Sequence, residues 1–429
     1  MAHKRSRAVS KDSAVPSSRK RTRTDEVDFE ISHKLDPTPS CPGVVKKRDD
    51  LPLSKLPSAA EVFSAFAKAR ADKALSDEEA FFDLISTYDI PLSLLSTVFA
   101  QKLPCSFSNV KYDQIAPYVH LSAELAGSDI LQVEIFRSRI PDAMFREIVT
   151  DVDESFTQYG PLEDHDNEET RSRFIAALFN KIVCLFGSAV INKPEGILDS
   201  EVTKRGRIEH HFLALKSVSI VFIEVKRELA TGKHRMDMKA QVLAGCSACD
   251  YANAKVGLWV PILAVLCDGY GFEFFVYDSA DKSVYSSGMT AGIYPQMHNA
   301  EDYMIASIKR ITEYLFDWFV IAYINGICAF GDRSSKRSQV KKRLSTEGWQ
   351  NSLALAEKAH WMLREGAVAA TPEQKKYEDA EQMAETGVEL LKQSVAELPQ
   401  GVVNRGNLRS CWKDNMCLEE AMPDAFCPL

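Results

Sequence analysis

One segment constrains the fold of this chain more than any other, the sequence VSIVFIEVK at positions 218–226. β-branched and aromatic residues fill most of it, which favours a strand. Both faces of that strand begin apolar, and such strands lie inside sheets that are covered on both sides. The segment therefore predicts an α/β fold, although it ends in two charged side chains, Glu224 and Lys226.

The elements around this strand predict a mixed sheet flanked by helices, because helical and strand patterns alternate as α-β-β-α-β-β. A helix is expected at about 167–186, followed by a polar segment that contains Pro194 and Gly196. Strands, a second helix and a long third helix follow, and the long helix is expected to end near Gly326 or Gly331. The expected strands are 208–215, 218–226, 258–267 and 272–277, and the expected helices are 236–253 and 299–330.

The chain has 429 residues, which suggests two to three units at about 150 residues each. We expect a disordered basic tail and linker over 1–52 and a helical module over 53–158. The α/β domain is expected over 159–331, and a basic linker with two helices over 332–429. The last helix carries an apolar stripe that either packs on the core or pairs with a partner helix, with Thr371 and Pro372 at its start.

The first 24 residues are rich in Lys, Arg, Ser and Pro and lack an apolar stripe, so they cannot offset the entropy of folding. Two basic clusters separated by a short spacer are typical of a bipartite nuclear import signal, and a solvated basic tail is the alternative. The expected location is therefore the nucleus. The import residues would be Lys4, Arg5, Arg19, Lys20, Arg21 and Arg23.

Composition excludes several other classes of protein. The most apolar stretch, Trp318 to Phe330, is 13 residues long and contains Asn325, so we expect no membrane span. A net charge of −8 argues against a protein that coats nucleic acid non-specifically, although a local basic patch remains compatible with it. Ten scattered cysteines and no secretory leader indicate reduced thiols. Cys246 and Cys249 are therefore interpreted as packed thiols rather than a metal pair.

The charged end of the 218–226 strand is the strongest sign of chemistry. Strict alternation would place Ile220 and Phe222 on the same face as Glu224 and Lys226. A charge that is buried alone costs several kcal/mol, on the order given for desolvated ions, so a partner is needed. A divalent cation beside a phosphate is one solution, because carboxylates suit magnesium and an ammonium suits phosphate oxygens. A solvated ion pair at a strand end is the alternative.

Neighbouring segments supply further candidates. Glu209 opens the preceding strand, where a second acidic ligand is expected, and Gln241 begins the core of the following helix. Glu168 and Glu169 open the helix before the strands, from which a carboxylate could reach a metal. His210 and His211 point to opposite faces of their strand, so they cannot both join one site.

This ordered series resembles the PD-(D/E)XK nuclease superfamily over roughly residues 165–290, and the strands after it are similar to nuclease-like domains of large fungal families, some in Crinkler-type proteins. The resemblance implies a restriction-endonuclease-like core in which Glu209 stands for the family's Asp and Glu224 and Lys226 for its E-x-K. Gln241 would be the helix residue. The family's Pro-Asp pair is absent, since Glu209 follows Ile208, and the literal pair Pro141-Asp142 opens a probable helix far upstream.

The resemblance further implies magnesium-dependent hydrolysis of nucleic-acid phosphodiester bonds, with Glu209 and Glu224 as metal ligands and Glu169 and Asp199 as weaker candidates. The alternative is a catalytically degenerate module that binds nucleic acid, or a protein through its helical flanks. Basic residues suited to a nucleic-acid backbone are Lys204, Arg205, Arg207, Lys336, Arg337, Lys341, Lys342 and Arg343.

Overall fold

A computed structural model describes residues 64–65, 67–68, 103, 105–229, 231–293, 301–341 and 347–399. These residues fall within one compact unit, Leu51–Leu429. The predicted import signal, the predicted tail over 1–52, Lys342 and Arg343 lie outside the described residues. The predicted boundaries between units at 158/159 and 331/332 remain a prediction.

The core is a seven-stranded mixed sheet with the strand order β1-β7-β6-β5-β4-β3-β2. The pairs β1/β7 and β4/β5 are parallel, and the other neighbours are antiparallel. The predicted α/β fold, a mixed sheet flanked by helices, is therefore confirmed. The strands are β1 Leu131–Gln132, β2 Val190–Leu198, β3 Gly206–Ala214, β4 Val218–Val225, β5 Ile262–Cys267, β6 Gly271–Tyr277 and β7 Val284–Ala291.

Helices cover both faces of the central strands. A helical turn, Tyr112–Ile115, precedes the longer helices, and α3 and α4 pack against β4 from opposite sides. Asn167 caps α2 by accepting a hydrogen bond from the Thr170 N–H at 2.8 Å. The helices are α1 Asp142–Tyr159, α2 Glu168–Leu185, α3 Gly232–Lys255, α4 Glu301–Lys341, α5 Glu347–Ala369 and α6 Tyr377–Glu397.

A bulge in the β3/β4 pair changes which residues share a face. Phe212 pairs with Val221, but Leu213 pairs with Ser219, so β4 carries one extra residue at Ile220. Ile220 consequently lies against Gly326 of α4. Phe222 lies against Gly245 of α3. The prediction that Ile220 and Phe222 share one face is wrong.

Three strands were not predicted, β1, β2 and β7, and β1 lies in the module that was expected to be helical. The polar segment with Pro194 and Gly196, for which no strand was expected, is the edge strand β2, where Pro194 is opposite His210. Proline is tolerated there because an edge strand has one side without ladder hydrogen bonds. β7 contains Ser286, Ser287 and Gly288 and therefore lacks the apolar signature of a strand.

Helix α4 runs past both glycines at which it was expected to end and includes Lys336, Arg337 and Lys341, so the predicted basic linker is wrong over these residues. Gly326 serves close packing, because a Cβ there would lie 2.8 Å from the Ala214 Cβ. By length and composition alone, Asp302–Ser334 could cross a membrane, with 56% of its most apolar window buried. The central helix of a globular protein passes the same test. Ile311, Phe316 and Phe319 are fully buried.

The C-terminal helices α5 and α6 pack as a pair, and α5 contacts α4. The apolar stripe of α6 is buried against these neighbours, which confirms packing on the parent fold for its members Ala380, Ala384, Val388, Leu391 and Leu398. The prediction that Thr371 and Pro372 start this helix is wrong, because the helix begins at Tyr377 and both residues belong to the preceding turn.

Candidate functional site

A polar cavity of about 130 Å³ lies at the carboxyl end of β4, and we call it the acidic cavity. Strands β3 and β4, helix α3, the first residue of α2 and a segment near residue 107 form its walls. The predicted residues Glu209, Glu224, Lys226 and Gln241 all line it. Its other lining residues are Ser106, Phe107, Ser108, Glu168, Gly206, Arg207, Ile208, Phe222 and Gly245.

The antiparallel pairing of β3 and β4 brings the two central carboxylates together. His210 pairs with Ile223, so the next positions along the ladder bring Glu209 opposite Glu224. The Val225 N–H donates a hydrogen bond of 2.8 Å to Glu209 Oε2, which fixes this carboxylate against the end of β4. Both side chains lie on the face covered by α3, as the alternation of each strand requires.

Lys226 completes the charged group immediately after β4 ends. Its backbone N–H donates to the Cys267 carbonyl at 2.8 Å, so the position is tied to β5. Its Nζ lies 2.7 Å from Glu224 Oε1 and 3.8 Å from Glu168 Oε1. The side chains of Lys226 and Glu224 are 10% and 13% exposed, so this is a buried ion pair and not a solvated one at a strand end.

Burial and mutual repulsion make the carboxyl groups of the cavity reluctant to ionise. Burial and the charge of Glu224 raise the pKa of Glu209 to about 8. Burial also raises the pKa of Glu224, although the Lys226 ammonium opposes this effect. Burial alone would lower the pKa of Lys226, but Glu224, Glu168 and Glu209 raise it above its ordinary value. The cavity is thus short of positive charge.

The third carboxylate at the cavity is Glu168, the first residue of α2. Glu169, the residue named as a weaker metal candidate, instead pairs with Arg173 at 2.6 Å, and its side chain is 75% exposed. Asp199 is also placed elsewhere, on the surface, where Arg205 Nε lies 2.6 Å from its Oδ1. The first turn of α2 therefore reaches the cavity through one residue and turns the next towards solvent.

Gln241 of α3 contributes a polar group that is only partly satisfied. Its Nε2 donates to the Ser108 carbonyl at 3.3 Å. Its Oε1 is buried and has no hydrogen-bond partner among the described residues. The side-chain oxygens of Glu168, Glu209, Glu224 and Gln241, which all line the cavity, are of the kind that a hard divalent cation such as Mg²⁺ prefers. Among the described residues, however, no group of three or more His, Cys, Asp or Glu side chains is arranged so that it could hold a metal ion.

A segment from far upstream closes one wall of the cavity, and we call Leu103 and residues 105–110 the strap. Leu103 donates its N–H to the Val202 carbonyl at 2.7 Å, and Lys204 donates to the Cys105 carbonyl at 3.0 Å. The Phe107 ring lies directly against the backbone of Gly206, where a Cβ would come within 1.9 Å of the ring. The sequence of the strap contains no motif from which its position at the cavity could have been predicted.

Arg171 anchors the chain just beyond Lys226, and the sequence analysis did not single it out. This residue is only 3% exposed. Its guanidinium donates to the carbonyl oxygens of Arg227, of Asp268 at 3.1 Å and of Leu162 at 2.5 Å. Burial of the guanidinium is tolerated because these acceptors bind its two terminal nitrogens, although its Nε has no hydrogen-bond partner among the described residues. It therefore holds the end of β4 in place.

The predicted basic residues belong to two parts of the described chain. Lys204, Arg205 and Arg207 are exposed, and Arg205 pairs with Asp199 and Arg207 with Glu195. Lys336, Arg337 and Lys341 belong to α4. A role of these residues in nucleic-acid binding stays a prediction.

The remaining sequence candidates are structural. His210 and His211 face opposite sides, as predicted, and reach Ser172 and Ser219 respectively. Cys246 and Cys249 are buried free thiols. Asp142 follows Pro141 at the start of α1, as expected, and pairs with Arg139 and Lys309 instead of a cavity residue.

Comparisons with known proteins give little beyond this geometry. No family model matches the chain, and neither does any curated protein. Among solved structures, a chain of a DrdV–DNA complex determined by cryo-electron microscopy is similar over 60% of this chain and 27% of that one. The two are 8% identical, with a TM-score of 0.23. A likeness this low supports no argument about function.

Proposed function

We propose that this protein is a metal-dependent nuclease that hydrolyses phosphodiester bonds of nucleic acid at the acidic cavity. The observation that supports this proposal is the convergence of Glu209, Glu224 and Lys226 in one largely buried space, with the half-exposed Glu168 at its edge. Four ionisable side chains in so small a volume are costly for folding alone. Such a cluster is expected where a cation and a substrate anion compensate it.

The residues would divide the work by chemistry. Glu209 and Glu224 would bind Mg²⁺, with Glu168 as a further oxygen ligand. A metal held there would lower the pKa of a bound water and neutralise charge that develops on the phosphate. Lys226 would donate a hydrogen bond to the attacking water or to a phosphate oxygen. Gln241, through its orphaned Oε1, would accept a hydrogen bond from that water.

The reaction itself is a substitution at phosphorus. The oxygen of the attacking water forms a bond to phosphorus, and one ester P–O bond breaks. The leaving oxygen takes up a proton, and the proton that the water loses passes to solvent. The residues of the cavity would therefore position the attacking water and polarise the phosphate, which is the main contribution of protein side chains to phosphoryl transfer.

One observation favours the alternative function, a degenerate module that binds without cleaving. The strap closes one wall of the cavity. The cavity volume of about 130 Å³ is also smaller than the roughly 300–1,000 Å³ of typical ligand pockets. A nucleic-acid strand would have to contact the mouth of the cavity or displace the strap. A protein that lacks cleavage but retains nucleic-acid binding would fit this alternative.

The test is a cleavage assay on plasmid DNA, single-stranded DNA and RNA, with Mg²⁺ or with a chelator. We expect cleavage only with the metal, and a loss on the order of 10²–10³-fold in Lys226→Ala and Glu224→Ala. Glu169→Ala is the matched control for Glu168→Ala, because it changes the same residue type one position away on the exposed side. Cleavage that survives both Lys226→Ala and Glu224→Ala would reject this site.

A further inference from the structure

The position of the Lys226 ammonium suggests that this residue has a role in addition to orienting the attacking water. Its Nζ touches Glu224 Oε1 at 2.7 Å, which is a close charge-assisted hydrogen bond. Glu224 is also a proposed metal ligand. The oxygen that a divalent cation would take is therefore already engaged by a cation that belongs to the protein.

A second acceptor lies within reach of the same ammonium. Glu168 Oε1 is 3.8 Å from Nζ, and the Glu168 side chain is 49% exposed, so this carboxylate borders on water. Lys226 lies one residue beyond the end of β4, and its four-carbon stem can swing while its backbone stays bound to β5. Movement of the ammonium towards Glu168 would lengthen its contact with Glu224.

Charge makes the two cations compete, because both are attracted to the same carboxylates and like charges a few ångströms apart repel each other. The Lys226 ammonium already lies 2.7 Å from Glu224 Oε1. A divalent cation bound between Glu209 and Glu224 would therefore be repelled by an ammonium that stays at Glu224. The other cation at the cavity wall, Arg207, is engaged by Glu195.

We propose that Lys226 is the resident counter-ion of the metal-free cavity, and that a divalent cation binds by displacing its ammonium from Glu224 towards Glu168. This inference rests on the proposed metal site. It makes Lys226 a residue that sets metal affinity, in addition to its proposed part in cleavage. Removal of its charge then strengthens metal binding even as it abolishes catalysis.

The experiment measures Mn²⁺ binding to the full chain from the electron paramagnetic resonance signal of the free ion. Lys226→Gln keeps a side-chain donor and loses the charge, and we expect it to bind Mn²⁺ about tenfold more tightly or better than the unmodified protein. Lys226→Arg keeps the charge and should bind no more tightly. Lys111→Gln is the control for net charge, because Lys111 pairs with Asp237 at 2.8 Å, is 54% exposed and does not line the cavity.

The outcomes separate this inference from the proposed function. Unchanged or weaker Mn²⁺ binding by Lys226→Gln overturns the inference, whatever the cleavage assay gives. Tighter binding by Lys226→Gln, in a protein that never cleaves, supports the inference and rejects the nuclease. If Lys226→Gln is unfolded without metal, recovery of its far-UV circular dichroism on Mn²⁺ addition supports the inference, and no recovery overturns it.

Discussion

At the scale of single residues, the two adjacent histidines of β3 are held neutral by their surroundings. His210 Nε2 lies 2.7 Å from Ser172 Oγ, and His211 Nε2 lies 2.8 Å from Ser219 Oγ. Burial lowers the pKa of each ring to about 4, and for His211 the charge of Lys193 adds to the effect. Both rings therefore link protonation to folding.

The first prediction concerns stability in mild acid. Below about pH 6.5 the unfolded chain protonates these rings, whereas the folded chain does not until about pH 4. The contribution of each ring to the free energy of unfolding should therefore fall by about 2 kcal/mol from pH 7.5 to pH 5, whereas protonation of Glu209, whose pKa is raised, acts in the opposite direction. Urea unfolding at the two pH values measures it, and His211→Gln should remove one ring's share. An unchanged pH dependence in that variant would contradict the assignment.

Arg171 gives the second prediction, because three carbonyl oxygens depend on its guanidinium. Arg171→Met should lower the free energy of unfolding by about 3 kcal/mol or more, since buried acceptors lose their donor. Arg173→Met, two residues away on the exposed side of α2, should leave the urea midpoint unchanged. Equal effects of the two changes would show that the Arg171 anchor contributes nothing particular to the fold.

At the scale of elements, the features that depend on neighbouring residues could be predicted from the sequence, whereas the contacts between distant residues could not. The charged end of β4 and the antiparallel partner carrying Glu209 were predicted because strand alternation and a short turn determine both. The bulge at Ile220 was not, since one inserted residue leaves no mark on composition. The strap and Arg171 were missed because their partners lie about a hundred and about sixty residues away.

Two glycines of α4 provide a matched pair for the third prediction. A Cβ at Gly326 would lie 2.8 Å from Ala214 Cβ, whereas at Gly331 the nearest atom, Trp349 Cβ, would be 3.7 Å away. Gly326→Ala should therefore cost about 1–3 kcal/mol through overpacking. Gly331→Ala should be neutral or stabilise by up to about 1 kcal/mol through helix propensity. Urea unfolding of both variants checks the opposite signs.

The strap gives the fourth prediction, again through a glycine. Gly206→Ala places a methyl group where the Phe107 ring now lies, so the ring has to leave the wall of the cavity. Limited proteolysis should then cut near residues 105–110 much faster than in the unmodified protein, with little change in far-UV circular dichroism. Proteolysis at an unchanged rate would mean that the ring is accommodated without release of the strap.

At the scale of the whole molecule, ion pairs join the C-terminal helices to α4 and to the segment before α1, and apolar contacts join them to the rest of the core. Asp317 of α4 is bound by Arg364 and His360 of α5, and Arg139 reaches Glu381 of α6 at 2.9 Å. The α6 stripe packs in the same interior. The described part of the chain therefore has one continuous core.

The fifth prediction follows from that continuity. Leu391→Ala in α6 and Leu266→Ala in β5 both empty fully buried positions and should each cost about 2–5 kcal/mol. Because the core is shared, each change should shift one common unfolding transition, followed by calorimetry and by tryptophan fluorescence. Separate transitions in Leu391→Ala would instead indicate that the C-terminal helices unfold on their own.

The contact between the Phe107 ring and the backbone of Gly206 has a practical consequence for the design of truncated forms of this protein. A fragment that starts at the predicted boundary, residue 159, would keep every charged residue that lines the acidic cavity but would lack the strap that closes one wall of it. A recombinant fragment truncated there should expose an apolar surface and self-associate. Aggregation or inactivity of such a fragment would therefore not show whether the full-length protein is an enzyme.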